Sequence, residues 1–176
     1  MAAARQPDSR GPAILCYDGS KEAAEAIAFA GELLAGSEAL VVSVWREVIE
    51  ETLSTGLTRP VADIVEANRR EREAAERFAA HGVRLAEQAG LRARPLVVRA
   101  DRPLWETVEL TAEEHDARLI VCGTGRSGMK AALPGNLANA LVNHASRPLV
   151  VVPSAQAAAQ RIRDVMSERS ANARVR

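Results

Sequence analysis

Leu119-Ile-Val-Cys-Gly-Thr-Gly-Arg-Ser-Gly-Met-Lys-Ala-Ala-Leu-Pro-Gly-Asn136 is the stretch on which the reading of this chain turns. A short apolar run, residues 119–122, stops at a loop holding Gly123, Gly125 and Gly128. After nine residues beyond Gly125, the pair Gly135-Asn136 opens the pattern Leu137, Ala140, Leu141, Ala145. The order is strand, glycine loop, then helix, with Asn136 at the N-cap. Glycines let backbone N–H groups approach an anion closely, and the helix start adds about half a positive charge. Arg126 and Lys130 supply side-chain cations, and Thr124 a hydroxyl. A phosphate group is the guest this pattern suits. The competing reading is plainer: a chain leaving a parallel strand must turn sharply, and glycines serve that turn without any ligand.

Working outward, the same alternation recurs. Residues 13–17 form an apolar run ended by Asp18-Gly19-Ser20, and Ser20 suits the cap of a helix whose stripe is Ala23, Ile27, Ala30 and Leu34, stopped at Gly36. A β-branched run follows at 39–45. Residues 46–64 lack periodicity and read as a connector with one short helix at most. A helix is expected over 65–89, with Ala75, Phe78, Gly82, Leu85 and Ala89 inward and Glu66/Arg70 and Glu73/Arg77 paired outward. The charge run at 69–73 is then a solvated face and not a nucleic-acid patch. Residues 94–100 read as a third strand. Asp101-Arg102-Pro103 starts a helix carrying Leu104, Val108, Thr111 and Ala112 inward. Strands at 117–122 and 148–152 flank a helix at 137–146. Strands that read as continuous apolar runs between helices predict an α/β fold, a doubly wound five-stranded parallel sheet with helices on both faces. Such sheets bind ligands beyond the carboxyl ends of their strands, where the strand order reverses.

Size and composition bound the rest. At 176 residues the chain fits a single domain with a real core. Its 23 acidic and 23 basic residues balance, so no overall field argues for nucleic acid or a membrane surface. The apolar runs are strand-sized and span no bilayer. Residues 1–12 are a polar extension without the apolar centre of a secretory signal. The two cysteines, Cys16 and Cys122, make no disulfide framework, and the cytoplasm is the expected location. Residues 13–153 form the domain, and 154–176 an arginine-rich tail, loose or partly helical.

These motifs resemble the universal stress protein family over roughly residues 12–153. The strand ending in Asp18-Gly19-Ser20 looks like the family's opening, and Ala100-Asp101-Arg102-Pro103 is similar to its Gly-Asp-Pro helix start. The nucleotide loop of the family has the form Gly-x2-Gly-x9-Gly followed by Ser, Thr or Asn. Gly125, nine residues, then Gly135-Asn136 reproduce its second half, while Gly123-Thr124-Gly125 is one residue shorter in the first. The resemblance implies the sheet order 3-2-1-4-5 and ATP or another adenine nucleotide as cofactor, with Mg as its companion ion. It matches Cys16, Tyr17, Asp18 and Val44 to adenine-side contacts. It matches Cys122, Gly123, Gly125, Gly135, Asn136 and Leu137 to ribose and phosphate contacts. It also implies a homodimer through the last strand, Pro148 to Val152.

Catalysis finds little support in the residues. No GxxxxGK[ST] occurs, and Asp18 is the one carboxylate expected at the crevice, where capping the first helix competes with touching a ligand. Cys16 and Cys122 end strands that the implied order makes neighbours, and inert buried thiols are the better reading. Two function classes stay open. One is a nucleotide-binding stress-response regulator with little turnover, signalling to an unidentified protein partner. The other is a dimeric interaction module that binds no nucleotide.

Overall fold

The structure, a computed structural model, describes residues 11–47, 61–124 and 137–173. Five strands, β1 (Ala13–Cys16), β2 (Glu38–Arg46), β3 (Arg92–Ala100), β4 (Leu119–Gly123) and β5 (Leu149–Val152), form one sheet in the order β3-β2-β1-β4-β5. Every neighbouring pair is parallel, with Ala13 opposite both Ala39 and Leu119. Five helices are described: α1 (Lys21–Leu34), α2 (Val61–Gln88), α3 (Leu104–Glu114), α4 (Leu137–His144) and α5 (Ala155–Ala173).

Two cores follow from the period-2 alternation of strand side chains. Ala13, Leu15, Tyr17, Ala39, Val41 and Val121 face one side and meet Ala23, Ala26, Ile27 and Ala30 of α1 and Ala86 of α2. Ile14, Cys16, Leu40, Val42, Ile120 and Cys122 face the other and meet Val108 and Ala112 of α3 and Ala138 and Leu141 of α4. β1 lies between both layers, and all four of its residues are buried. That is why it reads as an unbroken apolar run.

Local chemistry sets the corners. Ser20 caps α1, its Oγ accepting from the Ala23 N–H at 3.2 Å. Gly36 and Gly90 follow α1 and α2 at φ +77° and +86°, the left-handed region that glycine enters without strain. The Gly36 N–H donates to the Gly90 carbonyl at 2.8 Å, tying the two helix exits together.

Three expectations shift. α2 runs from Val61, four residues before the expected start at 65. Its buried stripe is Ala75, Ala79, Gly82 and Ala86, one position away from the Phe78–Leu85 reading, and Phe78 stays 40% exposed. Small residues let α2 lie close on the sheet, and the larger ring is displaced to the flank. The tail is helical throughout 155–173, begun where Ser154 Oγ accepts from the Ala157 N–H. The expected short helix within 46–64 falls mostly outside the described residues, apart from the start of α2.

Candidate functional site

The carboxyl ends of β1 and β4, adjacent in the sheet, define the crevice at which the strand order reverses. At the end of β1 the ladder continues one residue further: the Tyr17 N–H donates to the Val42 carbonyl at 2.9 Å. The Tyr17 carbonyl accepts from the buried Ser43 hydroxyl at 2.7 Å. Both backbone groups of Tyr17 are thus held by β2, so Asp18 leaves the sheet from a fixed point. Asp18 is exposed, and its Oδ1 accepts from the Ser20 N–H at 2.9 Å, closing the turn into α1. The carboxylate therefore shapes the turn, with Oδ2 directed to no hydrogen bond among the described residues.

The Tyr17 side chain turns to the α1/α2 face, where its Oη lies 2.7 Å from His81 Nδ1. Burial, and after it the charge of Asp18, pushes the phenol pKa up, so Tyr17 keeps its proton at neutral pH. Val44 is half-buried near the end of β2 and packs on the second core.

At the end of β4, Cys122 is buried, and Thr124 carries the ladder on by donating its N–H to the Val152 carbonyl at 3.0 Å. Gly123 sits under the first turn of α1. A Cβ there would stand 2.7 Å from the Glu22 carbonyl oxygen, closer than real contacts allow. Packing of α1 on β4 is thus sufficient reason for a glycine at 123. Leu137, the first residue of α4, packs against the second core.

Cys16 and Cys122 follow the opposed pair Leu15 and Val121 on neighbouring strands and share the second core. Burial raises the Cys122 thiol to about 11. Cys16 is pushed well above its ordinary value by burial, then by Cys122 and by Asp18. Both remain thiols at neutral pH, poor nucleophiles and poor metal ligands. Among the described residues no group of three or more His, Cys, Asp or Glu is arranged to hold a metal.

Of the residues singled out in the sequence, Cys16, Tyr17, Asp18, Val44, Cys122, Gly123, Thr124 and Leu137 lie at the carboxyl ends of their strands or at the start of α4. Gly125, Arg126, Gly128, Lys130, Gly135 and Asn136 lie outside the described residues. Sequence reasoning missed Ser43 and His81. Ser43 was findable as the lone hydroxyl inside a β-branched run, because a buried polar group implies a partner. His81 carries no such signal, since its partner is 64 positions away.

Comparison with known proteins places this geometry. A model of the universal stress protein family matches residues 11–153. Solved structures share the fold at low sequence identity. A universal stress protein in complex with cAMP is 18% identical, with a TM-score of 0.57, covering 82% of this chain and 98% of its own. The universal stress protein from Archaeoglobus fulgidus in complex with dAMP is 21% identical, with a TM-score of 0.54, covering 81% and 97%. A family protein from Arabidopsis thaliana with AMP bound is 11% identical, with a TM-score of 0.54, covering 81% and 91%. Among curated proteins, none matches the chain.

Proposed function

Because the chain belongs to the universal stress protein family, we propose that it binds an adenine nucleotide at the carboxyl edge between β1 and β4. One observation carries the reading: the Tyr17-Asp18 turn, the Gly123-Thr124 exit and the starts of α1 and α4 converge on one edge. The cAMP, dAMP and AMP complexes of structural neighbours support the adenine class. ATP is the nucleotide proposed, with Mg on its phosphates. Cys16, Tyr17, Asp18 and Val44 border the base. Cys122, Gly123, Thr124, Gly125, Gly135, Asn136 and Leu137 border ribose and phosphates, with Arg126, Gly128 and Lys130 serving the phosphate loop. Amides and helix starts suit an oxyanion. The Asp18 carboxylate at the crevice is already engaged by the Ser20 N–H, which favours binding over turnover. The protein acts as a cytoplasmic stress-response regulator that passes nucleotide occupancy to a protein partner. No helix among the described residues is long and apolar enough to cross a membrane.

Gently purified protein should release a nucleotide detectable by mass spectrometry, and calorimetry should record ATP binding. Gly135→Val puts a branched side chain where the phosphate must touch backbone, and should weaken ATP at least tenfold without unfolding the chain. Equal affinity in both proteins would sink the assignment. No binding at millimolar ATP would favour a second reading, an interaction module without nucleotide. That reading draws on Gly123, whose missing side chain is explained by Glu22 alone.

The four residues of β5 are only half-buried at the sheet edge, and an apolar edge of this kind calls for a partner. We assign a homodimer to that edge. Val151→Lys should shift sedimentation from dimer to monomer; a wild type monomeric at high micromolar concentration would contradict it.

A further inference from the structure

The arginines of α2 fall into two groups. Arg69, Arg70 and Arg72 each bond a glutamate of their own helix: Arg69 to Glu66 and Glu73, Arg70 to Glu66, and Arg72 to Glu76. Further along, Arg77, expected from its spacing to pair with Glu73, which Arg69 takes instead, and Arg84 form no ion pair with any described residue. Both line an open groove of about 460 Å³, together with Tyr17, Gly19, Phe78 and His81. The positions i, i+4 and i+7 place Arg77, His81 and Arg84 on one helix face, the arginines about 10 Å apart along the axis.

The groove has an apolar wall. Phe78 is 40% exposed and rests against Gly19, where a Cβ would come within 2.5 Å of the ring. The Tyr17–His81 bond adds a donor. If the phenol donates to Nδ1, the imidazole proton sits on Nε2; if Nδ1–H donates, the phenolic hydrogen is left over. In either arrangement one N–H or O–H remains beside two guanidinium groups. Unpaired arginines, a spare donor and an exposed ring make up the recognition chemistry of a phosphate attached to a flat apolar group.

We propose that this groove is a second anion site, sharing only Tyr17 with the nucleotide crevice between β1 and β4, which takes an aromatic phosphate monoester. The phosphate lies between Arg77 and Arg84, the Tyr17–His81 pair donates to it, and the ring lies on Phe78. The groove shares Tyr17 with the nucleotide reading, whereas Arg77, Phe78, His81 and Arg84 belong to the groove alone.

Calorimetry with two probes tests it on the full chain. Phenyl phosphate should bind the wild type and Gly135→Val equally, and bind the Arg77→Gln/Arg84→Gln double variant at least tenfold more weakly. Inorganic phosphate should bind the wild type severalfold more weakly than phenyl phosphate, and Phe78→Ala should erase that difference. Unchanged melting temperatures keep the comparison fair, since both arginines are exposed. Absent binding at millimolar phenyl phosphate, or equal affinity in the double variant, overturns the site. Loss of binding in Gly135→Val instead moves the anion to the crevice and also overturns it. Equal affinity of the two probes for the wild type removes the aromatic part of the proposal.

Discussion

The sheet core and the C-terminal helix carry similar side chains to opposite ends. Ile120, in β4, is fully buried between the strands and α3 and α4. Ile162, Val165 and Met166 recur at helical spacing on α5 and are 64%, 55% and 62% exposed. An apolar stripe is therefore only an offer of a surface. In the strands, ladder bonds fix the neighbour that accepts the offer; in α5, the helix start is tied to α1, where the Ala155 N–H donates to Glu25 Oε2, while the stripe beyond it stays largely exposed. Apolar burial near 25 cal/mol per Å² matters only where the surface is removed from water.

The sharpest break in this comparison is Ile120→Ala set beside Ile162→Ala. The first leaves a cavity where no chain relaxes freely and should cost roughly 2–5 kcal/mol. The second should stay within about 0.5 kcal/mol. Urea unfolding of both variants measures the pair, and similar losses would mean that α5 is as well packed as the sheet.

The buried thiols sharpen the core side of the contrast. The folded protein holds the Cys122 proton up to about 11, against 9.0 for an ordinary thiol, and Cys16 shifts in the same direction. A raised folded pKa favours the folded state fully below about 9, and that advantage is lost as pH climbs through 11. For Cys122 the loss amounts to about 2–3 kcal/mol. Melting temperature should fall between pH 9 and 11, and the fall should be shallower in Cys122→Ala. Parallel curves for the two proteins would show that Cys122 ionises freely. At pH 8 both thiols should resist iodoacetamide until urea is added.

How much of this was legible follows the same division. Strand runs such as Ala13–Cys16 and Leu119–Cys122 read correctly because burial on both faces leaves no polar position to confuse them. The parallel sheet followed from their alternation with helices; its order came from likeness to a family. The register of α2 was harder, since Ala75, Phe78, Ala79 and Gly82 allow two stripes one position apart. Only the approach of the sheet selects the smaller residues. At the crevice, Ser20 was readable as a cap from local spacing, whereas the Ser43–Tyr17 bond joins two strands and has no local signature.

Gly123 tests whether a motif glycine belongs to the ligand or to the frame. A Cβ would meet the Glu22 carbonyl at 2.7 Å and its carbon at 2.9 Å, both backbone atoms held by α1. Gly123→Ala should therefore destabilise the empty protein by roughly 1–3 kcal/mol, the usual range for overpacking. Calorimetric melting without nucleotide is the measurement. An unchanged melting temperature would free Gly123 from the frame and assign its conservation of space to the pocket.

The smallest effect belongs to α5. Removing residues 158–176 leaves Ser154, the Ala157 N–H it caps and the Ala155–Glu25 bond in place. What is lost among the side chains described is mostly exposed, including the whole Ile162–Val165–Met166 stripe. Little apolar area returns to water, so the cost should be below about 1 kcal/mol, or a fall in melting temperature of at most 2–4 °C for a chain of this size. A fall beyond that range would mean that the stripe is covered in solution. Repeating the melt across a range of protein concentrations then tells the cover's source. A concentration-dependent difference between full-length and shortened chains points to a second copy, and a constant one to the chain's own surface.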